Sequence, residues 1–159
     1  MKTYKITVLA LIFIANLTNC TSKGKPNKQG EILSAAALKA LAIHQSMNGK
    51  LVTVDGYASF CGAFSSVTAG KKNKMGIYAD GFCEGDKLIE AEIDFADNQT
   101  PLTGEEERNY AEVDKSFKNS TIKFMTDDYQ EVANGKLKFS GTIDYDGSNY
   151  HLTNVTIHK

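Results

Sequence analysis

Lys50-Leu51-Val52-Thr53-Val54-Asp55-Gly56-Tyr57-Ala58-Ser59 has the two-residue period of a β-strand. Val52, Val54 and Ala58 share a face with Gly56, and a glycine inside a strand marks a bend, a bulge or a close backbone approach. The same period returns downstream. Met75, Ile77 and Ala79 point one way with Tyr78 on the other side, and Ile89, Ala91, Ile93 and Phe95 alternate with Glu90, Glu92 and Asp94. Residues 137–145 and 150–158 repeat the pattern around Asp146-Gly147-Ser148-Asn149, which reads as a hairpin loop. Between these runs, residues 62–74 read as a polar loop, Ile122 and Phe124 as part of a short strand, and Asn134-Gly135 as a turn.

Two stretches have helical character. Residues 31–47 are rich in Ala and Leu, with Glu31 placed to suit the helix dipole and Ile32, Ala36, Ala40 and Ile43 close to one face. Asn48-Gly49 ends that run, glycine being common just past a helix. Thr103-Gly104-Glu105-Glu106 has the form of a capping box opening a helix to about residue 117. The expected fold is therefore mainly β with two helices (α+β): an N-terminal helix, a five-stranded partly open barrel, and a helix between strands three and four. That is the oligonucleotide/oligosaccharide-binding (OB) architecture.

Particular residues strengthen this reading. The stretch Asn48-Gly49-Lys50-Leu51-Val52-Thr53-Val54-Asp55-Gly56-Tyr57 resembles the opening "GK-x-V-x-V-x-G" strand of small bacterial OB-like lipoproteins grouped with tRNA-anticodon-binding-like domains. Tyr150-His151-Leu152-Thr153-Asn154-Val155-Thr156-Ile157 is similar to their closing "L-x-N-x-x-I" strand. The resemblance covers residues 31–159 and implies a fold more than an activity; it implies neither tRNA nor an anticodon as ligand.

The N-terminus gives an address. Lys2 and Lys5 precede an apolar run over residues 6–15, which Leu17-Thr18-Asn19-Cys20 closes. A charged start followed by a short apolar run reads as an export signal, and a helix needs about 20 apolar residues to cross a bilayer. The Leu-x-x-Cys ending resembles a bacterial lipobox, which implies lipidation of Cys20 and cleavage before it; Asn19 departs from the usual Gly, Ala or Ser at that position. The alternative is an ordinary signal peptide cut nearby to release a soluble protein. The expected organisation is a signal over 1–19, a flexible tether over 20–30 without apolar side chains to bury, and one barrel domain over 31–159. Such a protein is exported and held in the bacterial cell envelope by its lipid.

Removing residues 1–19 takes away Lys2 and Lys5 and no acid, so the charge moves from −1 to −3. That mild acidity offers no general attraction to nucleic acid. Cys61 and Cys83 remain as the available disulfide pair in an oxidising compartment, with two buried free thiols as the alternative. His44, His151 and His158 lack zinc spacing, the serines lack a nucleophile-elbow pattern, and Asp127-Asp128 lacks a calcium loop. No catalytic residue, metal or cofactor is expected.

Lys71, Lys72 and Lys74, followed by Tyr78, are the candidate ligand-binding residues, because cations beside an aromatic ring suit a phosphate and a stacked base. Glu90, Glu92 and Asp94 on the next strand would oppose a phosphate backbone. The expected function is thus a non-catalytic, lipid-anchored envelope module that binds a protein, peptide or glycan. The alternatives are a single-stranded nucleic-acid-binding domain and a structural accessory subunit of an envelope complex.

Overall fold

A computed structural model of the chain describes residues 29–41, 45–61, 68, 70–96, 107–114, 118–133 and 135–159. The signal, Cys20, nearly all of the tether, His44, and the Thr103-to-Glu106 capping box lie outside them. The elements are β1 (Glu31–Ile32), α1 (Ala35–Leu41), β2 (Leu51–Ser59), β3 (Lys72–Tyr78), β4 (Lys87–Phe95), β5 (Tyr110–Glu112), β6 (Lys123–Met125), β7 (Glu131–Ala133), β8 (Leu137–Tyr145) and β9 (Tyr150–His158).

Five long strands form a closed barrel. β2, β3 and β4 follow one another antiparallel, β8 and β9 form a hairpin, and β8 pairs antiparallel with β2. A parallel pairing of β4 with β9, at Glu90↔His151 and Ala91↔Leu152, completes the circuit. The alternation in each strand sends one set of side chains inside: Val52, Val54, Met75, Ile77, Ile89, Ile93, Phe139, Ile143, Leu152 and Ile157 are all buried. Burying each aliphatic chain of this size contributes about 1.5–3 kcal/mol. Where strands crowd, the sequence supplies glycine. A Cβ on Gly56 would stand 2.6 Å from the Tyr78 carbonyl oxygen. On Gly141 it would stand 2.9 Å from the Thr153 carbonyl, beside the bulge where Asn154 takes φ 51°.

Three expectations need correction. The single helix over 31–47 does not form as such. Gly30 lies against the Leu51 and Val52 backbone, too close for any Cβ, so residues 31–32 run extended and pair parallel with β2. Helix α1 starts only after Ser34, whose hydroxyl accepts from the Ala37 amide at 3.2 Å as a cap. Leu38 on it and Leu33 just ahead of it are buried, whereas Ile32 and Ala36 are exposed. Edge pairing has overridden helical propensity there. Secondly, β3 begins at Lys72, inside the stretch read as a loop.

The third correction concerns the helix expected to run to residue 117. Tyr110–Glu112 is instead strand β5, parallel to the end of β4 and antiparallel to β6, which pairs in turn with β7. Ala111, Ile122 and Phe124 are buried, and Phe124 meets Phe139 edge-on at 6.0 Å, so this excursion shares the barrel core. Its loops also cover the part of β9 beyond β4. The Asp127 amide donates to the Ile157 carbonyl at 2.8 Å, and the Asn109 side chain accepts from the Ile157 amide at 2.9 Å.

Candidate binding face

The outer face of β3 and β4 carries most of the residues singled out by the sequence. Lys72, Lys74, Gly76 and Tyr78 alternate with the buried Met75 and Ile77 and so share that face. Lys71 precedes the strand and falls on the opposite parity. Tyr78 lies across Gly76, where an added Cβ would stand 2.5 Å from the ring, and faces Tyr57 across the β2–β3 ladder. The two strand lysines are not set among neutral residues: Lys72 lies opposite Asp94 and Lys74 opposite Glu92. Lys87 forms an ion pair with Glu90. The face is a checkerboard of charges, not a cationic track.

At the rim of this face Asp146 organises the β8–β9 turn. Its Oδ1 accepts from the Ser148 and Asn149 amides at 3.0 and 2.9 Å, and its Oδ2 meets Lys74 Nζ at 3.3 Å. The Asn149 amide first, then that of Ser148 and the Lys74 ammonium, hold the carboxyl down at about 2. Because the value is lowered, the turn gains stability above the ordinary carboxylate value and loses it as pH falls through about 2. Carboxylate-detected NMR titration is expected to find this midpoint, and Lys74→Ala should raise it only slightly because the backbone donors dominate. A midpoint near the ordinary 3.8 would remove the turn as a built feature.

The connection from β3 to β4 is fixed more tightly than its polar sequence suggests. Cys61 and Cys83 are joined by a disulfide with their Cα atoms 5.7 Å apart. Phe82 and Cys83 take φ of 56° and 67°, a left-handed conformation uncommon for residues with a Cβ. Asn119 reaches in from the excursion, accepting from the Phe60 amide at 2.8 Å and donating to the Phe60 carbonyl at 2.6 Å and to Cys83 Sγ at 3.6 Å. Phe82 is left 56% exposed between the exposed acids Asp80 and Glu84. Sequence reasoning passed over Phe82. The available signal was an aromatic residue bracketed by Gly81 and Gly85 beside a cysteine.

Both histidines among the described residues are buried. His151 Nε2 stands 3.6 Å from both Glu92 and Asp144, and its Nδ1 has no hydrogen-bond partner. Among the described residues no three His, Cys, Asp or Glu side chains converge as a metal site. His158 lies between Asp127 Oδ2, 2.9 Å from Nδ1, and Ser140 Oγ, 3.0 Å from Nε2. The order aspartate, histidine, serine is that of a hydrolase triad, but Ser140 is 1% exposed in the middle of β8. Substrate cannot reach it there. Asp128 bonds the Thr126 hydroxyl, so the two adjacent aspartates are engaged separately.

A groove of about 220 Å³ runs between α1, the start of β4 and the β8–β9 turn, with Leu38, Leu88 and Tyr150 on its apolar side and Lys87, Glu90 and Asn149 on its polar side. It is smaller than the cavities that usually enclose organic ligands, about 300–1,000 Å³. Among the described residues no helix is long and apolar enough to cross a membrane. Comparison of the chain with protein-family models, curated proteins and solved structures finds no match.

Proposed function

We propose that this chain is a lipid-anchored module of the bacterial cell envelope, without catalytic activity, that docks a protein partner through the disulfide-fixed turn bearing Phe82. The anchor is the lipid expected on Cys20, and residues 20–30 serve as its tether. The barrel is read as OB-like, a reading supported by its circuit β2-β3-β4-β9-β8, with the third and fifth strands parallel. In that architecture the second and third strands commonly carry the ligand, and the turn joining them is the one that presents Phe82.

The observation that carries this reading is the exposure of a large aromatic side chain in a left-handed backbone conformation, next to a cysteine tied into a disulfide. Strained residues persist where surrounding structure fixes them, and such positions cluster at ligand clamps and switch regions. Aromatic anchors also dominate protein interfaces. The flanking Asp80 and Glu84 call for a partner whose apolar pocket is rimmed by basic groups. The paired lysines on β3 favour this reading over phosphate-backbone binding, which needs uncompensated cations.

A photoreactive phenylalanine analogue at position 82, in membranes of the expressing cell, tests the proposal. Crosslinking to one dominant protein is expected, with a yield well above that from the same analogue at Asp128. Phe82→Ser should reduce recovery of that protein at least tenfold, as loss of a central aromatic anchor costs 2 kcal/mol or more. Equal labelling from both positions would overturn the assignment of the site.

A further inference from the structure

Four hydrogen bonds in series join Gly30 to Asp127, and each fixes the direction of the next. The Gly30 carbonyl can only accept, so the Thr53 hydroxyl donates to it across 3.1 Å. A threonine hydroxyl has a single proton. The 2.8 Å contact between Thr53 Oγ1 and Ser140 Oγ must therefore use the proton of Ser140. With that proton committed, the 3.0 Å contact between Ser140 Oγ and His158 Nε2 must use a proton on the ring. The other ring nitrogen, Nδ1, faces the Asp127 carboxylate at 2.9 Å, which accepts when ionised. Both ring nitrogens then carry protons. His158 donates to Ser140 and is not its base, which also argues against nucleophilic chemistry at that serine.

We infer that the Thr53–Ser140–His158–Asp127 chain is a proton-dependent clasp, holding the segment that enters the barrel at Gly30 while His158 is doubly protonated. The inference does not depend on what the protein binds. Charged groups surround the ring from several elements. Asp127 follows β6, and Arg108, ahead of β5, places Nη1 3.3 Å from the Asp127 carbonyl. Lys138 on β8 lies opposite His158 in the ladder, with Nζ 3.2 Å from the Lys159 carbonyl. The two cations oppose the ring's second proton, while Asp127 and the hydroxyl chain favour it.

When the ring loses that proton, four bonds are left with three donors. The bond to Gly30 is the longest of the four, and it leads straight into the two-residue pairing of β1 with β2. It is the bond to break. The contribution is lost once the folded-state ring gives up that proton.

The full chain, ¹⁵N-labelled in its histidine rings, tests this. In the folded chain His158, identified by loss of its signals in His158→Gln, is expected to show two ring N–H resonances. Thr53→Val frees the Ser140 proton to donate to the ring, and Ser140→Ala removes the acceptor for Nε2. Either variant should convert His158 to a singly protonated ring at the same pH, so one folded variant suffices. A singly protonated ring in the unsubstituted chain overturns the inference, as does a ring left doubly protonated by the substitutions. Hydrogen exchange reads the clasp itself through the Leu33 amide, which donates to the Thr53 carbonyl at 2.9 Å. Relative to amides of β4, its exchange should rise at least tenfold once His158 is deprotonated; an unchanged ratio also overturns the clasp.

Discussion

Replacing Asp127 with alanine is expected to lower stability by about 3–5 kcal/mol, because breaking a buried ion pair removes the carboxylate that offsets the cost of burying the ring's charge. Asp127 and His158 are both almost fully buried, so water cannot substitute for the lost partner. Were the pair only a neutral hydrogen bond, the variant would leave one buried N–H unsatisfied, at a cost of about 1–3 kcal/mol. Urea denaturation separates the two, provided the slope with denaturant is unchanged. Asp127→Asn keeps an acceptor in place but removes the charge, and should fall between the wild type and Asp127→Ala. A loss below about 3 kcal/mol for the alanine variant would leave His158 neutral and the donor count of the chain wrong.

Removing the disulfide by Cys61→Ala with Cys83→Ala is expected to cost about 3 kcal/mol in the chain-entropy model, given the 22-residue separation. The same loss should follow from reducing the unsubstituted protein, with both denaturant midpoints falling together. A second effect is expected at the turn, where the bond helps hold Phe82 and Cys83 at positive φ. Crosslinking from position 82 should weaken in a protein that is still folded. If stability falls while crosslinking is untouched, the bond is a staple and Asn119 alone orients the turn.

The five barrel strands could be read from the sequence because each carries its own period. Val52 and Val54, Met75 and Ile77, or Ile89 to Phe95 announce a buried face within a few residues. The Cys61–Cys83 bond was available from counting cysteines, although free thiols remained the alternative. The helices fared worse for a physical reason. Glu31 and Ile32 have helical neighbours, yet the edge of β2 recruits them through backbone groups that no side chain advertises. Tyr110 to Glu112 likewise joins β4 at Asp94 and Phe95, a pairing with no local signature. Buried polar partners are harder still. Thr53, Asp127, Ser140 and His158 come from four separate parts of the chain, and only the closed barrel brings them within hydrogen-bond reach. The candidate lysines could be found, but the carboxylates facing them depend on a register that only the paired strands define.

The parallel closure between β4 and β9 also governs when this fold can exist. Of the nine strands among the described residues, β9 comes last along the chain, and it supplies both a neighbour for β8 and the seam with β4. A chain emerging N-terminus first, from a ribosome or through a membrane pore, can form the β2–β3–β4 meander but cannot seal it. Contacts such as Leu51↔Thr142 wait on distant residues, and folds dominated by such contacts form slowly. Until β9 arrives the meander has no partner to seal it. Delivery of β9 is then the step that closes the barrel.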